Sequence, residues 1–320
     1  MGKNSNSVTV TRAVHVNHRK RYNSTHWQFS LMTLPGVLHL LIFAYLPMCG
    51  IIIAFKDYRF NLGIFGSKWN GVENFKFLFR SNTLYTILRN TFGYNLVIMF
   101  LGIVCAVVVA LLLEQVSTKK TAIKLFQSSM FLPYFLSWIV VSYISLALLD
   151  YDSGIFNHIR NFFGQERISF YSEKAYWPFI LVSIAIWKSV GYNSLIYYGS
   201  ILGIDTSLNE AAYIDGCNYF KRVWHVTLPQ LRRSIIILTL LGIGGMFRSD
   251  YGLYFFIPRD TGALYSVTDV LDTYIIRSIR NSTNMGLASA MGFMQSVAGF
   301  ILIVAANKIV NKLDRESALF

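Results

Sequence analysis

The feature that most limits the fold is a stretch of 25 residues, Leu31 to Phe55, without an Asp, Glu, Lys or Arg. A run of this length is enough to cross a bilayer core about 30 Å thick as a tilted helix. Inside lipid the backbone N–H and C=O groups find no water, so a lone spanning segment must satisfy them internally as an α-helix. Pro35 and Pro47 are expected to kink or end that helix locally. Comparable apolar runs recur at 90–113, 125–149, 176–202, 234–257 and 287–306. The expectation is an all-α membrane protein with six transmembrane helices. Composition agrees: 14% of residues are charged and 54% hydrophobic, where soluble chains carry roughly a quarter charged.

The remaining segments organise themselves around these spans. Residues 1–30 form a polar tail with Lys3, Arg12, Arg19, Lys20 and Arg21. No signal-peptide core or cleavage site is evident there, so a cytoplasmic tail is expected. A transmembrane domain over 31–307 follows, then a second cytoplasmic tail over 308–320 with Lys308. Phe75, Phe77, Leu78, Phe79 and Leu84 fit a helix lying at the membrane interface. Six spans leave both termini on one side. That side carries 15 Lys and Arg against 12 on the other, so the positive-inside rule alone does not fix orientation.

The net charge of +13 does not make a nucleic-acid binder, because the basic residues are scattered and form no dense patch. A surplus near membrane surfaces accounts for it better. Cys49, Cys105 and Cys217 are too scattered for a disulfide framework or a metal site. His39 within the first span reads as packing. No cofactor or metal is implied. A Gly-x-x-x-x-Gly-Lys-Ser/Thr phosphate loop is absent, so an ATP-hydrolysing site is not expected.

A polar island over 204–233 interrupts the apolar pattern. Ser207-Leu208-Asn209-Glu210 reads as a capping box with Ser207 as N-cap. The helix it starts should end at Gly216, which is free to take positive φ. A second short helix is expected over Tyr219 to Val226, with Tyr219, Phe220, Val223 and Trp224 on one face, ended by Pro229. Glu210-Ala211-Ala212, Gly216 and Leu228-Pro229 also stand at a fixed spacing. That spacing resembles the cytoplasmic coupling loop of permeases in binding-protein-dependent ATP-binding cassette importers. Val226 replaces an Ile of the family pattern. Asp215-Gly216 is similar to the sugar-importing branch, although Cys217 stands where that branch often has Ala. Trp187-Lys188 with Gly191-Tyr192, the run Val270-Leu271-Asp272-Thr273-Tyr274, Gln295-Ser296 and the final Ala318-Leu319-Phe320 look like permeases for complex sugars. The likeness covers about Phe92 to Phe320.

The resemblance implies the type I importer permease fold and a transmembrane path for an oligosaccharide. It implies a second homologous permease, two cytoplasmic ATPase subunits and an extracytoplasmic sugar-binding protein as partners, in a bacterial plasma membrane. Glu210, Ala211, Ala212, Asp215, Gly216, Leu228 and Pro229 would couple to the ATPase. Glu210 is either a charge partner for a basic residue there or the reciprocal arm of the capping box. Ionisable residues in spans usually face a cavity or a partner, which singles out Lys188, Arg248 and Asp250. Lys188 has no acidic residue one turn away, so either another span or subunit supplies a carboxylate or water and cargo solvate the ammonium. Tyr192, Asn193 and Tyr197 are further candidates for a sugar path, since aromatic faces and amides suit sugar rings. Tyr251 and Tyr254 fit an interfacial aromatic belt better. Rival readings are the same importer class with a non-sugar cargo, an ion-driven secondary transporter, and a membrane enzyme. No internal repeat of broken helices and no convergent His, Asp or Glu constellation supports the last two.

Overall fold

In a computed structural model the described residues are 24–116, 120–280, 284–314 and 318, and most of them are helical. Most of the basic N-terminal tail, Lys119 and the final Leu319-Phe320 lie outside them. The chain divides into a unit ending at Cys49 and a unit from Gly50 to Phe320.

In the first unit, α1 (Ser24–Leu40) continues through a π-type turn, Leu41–Tyr45, into Leu46–Met48. Pro47 explains the turn. Proline lacks an N–H and its ring crowds the carbonyl four residues back, and a widened turn relieves both problems without breaking the helix.

The second unit opens with a small antiparallel ribbon, β1 (Lys56–Asp57) against β2 (Lys68–Trp69), with Lys56 opposite Trp69. A short helix, α2 (Glu73–Arg80), buries Asn74 and Leu78. The Asn74 amide donates to the carbonyls of Ala54 and Lys56 and ties α2 to the ribbon. Then comes α3 (Asn82–Val116), 35 residues long.

The expected single span over 125–149 is two helices, α4 (Lys120–Phe135) and α5 (Trp138–Leu149). They meet at 97°. Pro133 falls in the last turn of α4, and Ser137 is extended and caps α5 by accepting from Val140 N. After α6 (Ile155–Phe162) comes α7 (Trp177–Leu202), a 26-residue helix.

The expected fifth span, 234–257, is displaced. The helix α9 runs Tyr219–Gly244, preceded by a short polar helix, α8 (Thr206–Ile214). Gly245 and Met246 fold back in tight turns onto Gly242 and Ile243 carbonyls. The helix therefore stops before Arg248, and a short α10 (Tyr251–Phe256) follows. The chain closes with α11 (Leu271–Arg280) and α12 (Met285–Leu313). Five helices among the described residues are long and apolar enough to cross a membrane, or six if α4 and α5 form one bent span.

Packing in the second unit is built on α3 against α7, with α4 on α7 and α12 on both α9 and α11. Close approaches fix the register. A Cβ on Gly191 would stand 1.9 Å from the Met130 carbonyl oxygen, and one on Gly244 would stand 2.7 Å from Ile303 Cδ1. Both glycines let helices touch backbone to side chain or backbone to backbone. Trp177, Leu181, Leu253, Tyr254 and Ile257 share one core. Tyr254 is thus buried, not part of an exposed aromatic belt. Tyr197, Tyr198 and Leu231 share another core with the end of α3. Arg277 braces the 258–286 segment by pairing with Asp269 at 3.0 Å and Asp260 at 3.1 Å over the Tyr265 ring.

Candidate coupling helix and translocation cavity

The polar helix α8 begins one turn after α7 ends, across Gly203, Ile204 and Asp205. Asp205, not Ser207, is its N-cap: the carboxylate accepts from Ser207 N at 2.9 Å. Both residue types suit the position, and the short link from α7 starts the helix two residues earlier. This leaves Leu208 at the third helical position, so Glu210 has no capping-box role. The bond from Ser207 N holds the exposed Asp205 carboxyl below its ordinary pKa. Glu210 is exposed and pairs with no described residue, which leaves its charge open for a partner. Ala211 and Asp215 are also exposed, and Ala212 is buried.

At the far end Asp215 is the C-cap and Gly216 takes φ +72°. Gly216 N donates to the Tyr213 carbonyl and Cys217 N to that of Ala212. These are the two bonds of a Schellman motif, which satisfies carbonyls a helix end leaves open. The motif leaves Tyr213 and Ile214 standing outward, 78% and 83% exposed.

Asn218 then caps α9 by accepting from Lys221 N. Pro229 does not end this second helix. A π-type turn, Val223–Thr227, precedes it and the helix continues to Gly244. The device is the one seen before Pro47, at the same spacing. Leu228 packs partly buried against the Tyr197 core and Pro229 is exposed. The start of α9 is pinned to the end of α3: Tyr219 donates to the Leu111 carbonyl and Arg222 pairs with Glu114 at 3.5 Å. The coupling-loop candidates therefore lie on one capped, anchored element, with Glu210, Ala211, Asp215, Gly216 and Pro229 exposed and Ala212 and Leu228 turned inward.

Two cavities, of about 220 and 360 Å³, share Asn95, Ile98 and Ser189 as lining residues. Lys188, Asp250, Tyr134, Trp138 and Tyr254 line the first. Asn193 and Tyr197 line the second, next to Gly242 and Gly245. Asn193 makes no hydrogen bond to a described residue. Tyr197 is almost wholly buried in its core, so only an edge reaches the cavity. Tyr192 stacks on Tyr134 with ring centres 4.6 Å apart. Arg248 is exposed and lines neither cavity.

Lys188 is solvated differently from either expected way. Its ammonium donates to the carbonyls of Pro133 at 3.2 Å, Tyr134 at 2.8 Å and Leu136 at 2.6 Å. These carbonyls lie at and just past the end of α4, where that of Pro133 also accepts from Leu136 N, and an ammonium has three protons to give. The Trp138 ring lies 5.1 Å from the same nitrogen, and Trp138 Nε1 donates to Asp250 at 2.8 Å.

Residues not foreseen as site residues hold the 245–250 turn beside the cavity. Asn95 donates to the Met246 carbonyl and to Ser249 Oγ. Asp272 accepts from Ser249 N and from Gln295. The Asp272 and Gln295 stretches, distant in sequence, meet at this turn. The sequence signal for Asn95 was a polar amide inside an otherwise apolar run.

A family model described as binding-protein-dependent transport system inner membrane component matches residues 98–315. The chain is 34% identical over 289 residues to the polygalacturonan/rhamnogalacturonan transport system permease protein YteP of Bacillus subtilis (strain 168), covering 89% of this chain and 88% of that one. It is similar to a chain of a bacterial ABC transporter involved in the import of the acidic polysaccharide alginate, with TM-score 0.83, 26% identity, and 91% and 97% of the two chains covered. A chain of a bacterial alginate ABC transporter in complex with an alginate pentasaccharide-bound periplasmic protein aligns with TM-score 0.82 at 26% identity, over 90% of this chain and 96% of that one. The match to two thirds of the chain, with relatives spanning nearly all of it, places this chain in the family of binding-protein-dependent transport system inner membrane components.

Proposed function

We propose that this permease subunit forms, with its partner permease, the path for a uronate-containing oligosaccharide delivered by an extracytoplasmic binding protein. ATP would be hydrolysed by separate subunits docked on α8, since the chain carries no phosphate loop of its own. The observation that carries the reading is the pair of cavities that share Asn95, Ile98 and Ser189 and are lined by amide and hydroxyl groups. Among the described residues, neither the Asn193 amide nor the side-chain oxygen of Asn95 has a hydrogen-bond partner. Such groups exchange hydrogen bonds with sugar hydroxyls, and the neighbouring tyrosines offer faces for the ring. The cargoes named for YteP and for the alginate importer are acidic polysaccharides, which supports the uronate class.

The test uses the assembled transporter in proteoliposomes with its binding protein. Uptake of trigalacturonate is compared with uptake of maltotriose, in the parent and in Asn193→Leu. The parent should carry the uronate in preference. Asn193→Leu should slow it about ten-fold, the equivalent of one lost hydrogen bond of about 1.4 kcal/mol. Preference for maltotriose, or full uptake by Asn193→Leu, would refute the cargo class or the path respectively.

A further inference from the structure

From the geometry around Lys188 we infer that this residue is a latch that passes movement of the coupling helix to the α4–α5 break and the cavity wall. It is a positioning residue for transport, acting through backbone groups and not by touching cargo.

The connection is continuous in this unit. The helix α7 runs unbroken from Trp177 to Leu202, and three residues then separate it from α8. Lys188 lies 14 residues before Leu202, or about 21 Å along the helix. A displacement of α8 therefore reaches Lys188 through one rigid rod. There the ammonium grips three carbonyls at the 97° break. A packed helix interior has no free carbonyls to offer, so this grip exists only because α4 is broken. The next link is Trp138, the first residue of α5, over the Lys188 ammonium. Its indole N–H holds Asp250, and Asp250 in turn caps α10 by accepting from Gly252 N. A Cβ on Gly252 would stand 2.0 Å from Trp138 Cδ1, so the indole seats directly against the α10 backbone. Lys188, Trp138 and Asp250 all line the same cavity. A structural cap alone needs only the three carbonyl contacts. The further contact chain to the opposite wall is what a transmitting role requires.

The latch rests on the chain's membership of an ATP-driven importer, not on the cargo, and its test needs no cargo. The assembled complex is reconstituted with Cys49, Cys105 and Cys217 replaced by Ser. Maleimide labelling of Ser137→Cys and, separately, Arg248→Cys is timed without nucleotide and after trapping with ATP and vanadate. Both rates should change with nucleotide state by about five-fold or more, the usual lower size of an allosteric coupling. Adding Lys188→Met should remove the change at both positions. Adding Trp138→Phe, which keeps the ring but removes the indole N–H, should remove it at 248 and keep it at 137. If Lys188→Met prevents assembly, the Trp138→Phe pair decides alone. Changes that persist at both positions in Trp138→Phe, or that are absent at both in the parent, overturn the latch. A parent complex that shows the labelling change but imports no trigalacturonate overturns the cargo reading and leaves the latch standing.

Discussion

The turn at Gly216 offers the sharpest quantitative test of the proposed coupling element. Its φ of +72° lies in the left-handed region. No neighbouring atom stands within 4 Å of where a Cβ would sit. The cost of Gly216→Ala is therefore conformational and not steric, about 1–2 kcal/mol for a non-glycine residue held left-handed. That corresponds to roughly a five- to thirty-fold loss in the population of the formed turn. Asn visits this region more readily than Ala, so Gly216→Asn should cost less. Proline fixes φ near −65° and removes the N–H that now bonds to the Tyr213 carbonyl. Gly216→Pro should exceed about 3 kcal/mol, because the Schellman motif cannot form at all. The turn lies outside the long apolar helices, so membrane insertion should be unchanged in all three. The assay is ATPase activity of the reconstituted complex stimulated by cargo-loaded binding protein, with insertion checked by yield in the membrane fraction. Stimulation should fall in the order Gly, Asn, Ala, Pro. Parent-level stimulation in Gly216→Ala, or an Asn variant worse than the Ala variant, would refute the left-handed-turn argument.

Three other outcomes follow from particular contacts. Gly191→Ala should force α7 away from α4, since its Cβ would stand 1.9 Å from the Met130 carbonyl oxygen. Overpacking of this kind costs about 1–3 kcal/mol, and the midpoint of heat-induced disassembly in detergent should drop accordingly. Asp205 has a lowered folded pKa, caused first by Ser207 N–H. Its cap is therefore intact above the ordinary carboxylate range and weakens as pH falls below about 4. Hydrogen exchange in the first turn of α8 should speed up on acidification, and Asp205→Asn should remove that dependence while keeping the cap. Lys188→Met should impair uptake of trigalacturonate and maltotriose alike, because the ammonium's donors are spent on backbone carbonyls. A selective loss of the acidic cargo would show that the charge itself acts on cargo.

What was legible in the sequence and what was not divides along the range of the forces involved. Long uncharged runs reveal helices, because lipid leaves the backbone no alternative. Gly216 was legible as a turn because only local sterics decide it. The choice between Asp205 and Ser207 as cap was not, because both side chains can accept from the next N–H groups. Where α7 stops makes that choice. Pro133 gave a hint of the α4–α5 bend, but the carbonyls at the end of α4 are met by Lys188, more than 50 positions later in the chain. Pro229 misled for a related reason. Its effect depends on whether the preceding turn can widen, and residue identity alone does not state that. The ribbon of Lys56–Asp57 and Lys68–Trp69 is too short for any two-residue alternation to announce it.

The same division sharpens the search for the path. A polar residue in a membrane helix is a functional candidate by default, and α3 and α7 carry several. Asn90 donates to the carbonyls of Ser266 and Asp269, Tyr94 to that of Val267, Asn95 to that of Met246. Thr91 accepts from Leu271 N. Lys188 serves the α4 end. Each of these groups is bonded to backbone at a helix end or in a short turn, which lipid would not tolerate unsatisfied. The polar residues of the spans are thus mostly scaffold for the short, interrupted segments between the long helices. Asn193 differs from them: it lines the larger of the two neighbouring cavities and is bonded to no described residue. Its half-buried amide is accessible to water or cargo. On the proposed reading, the cargo path would run past Asn193 and the side-chain oxygen of Asn95. Arg248, which lines neither cavity, falls outside it, and Lys188 sets the shape of its wall.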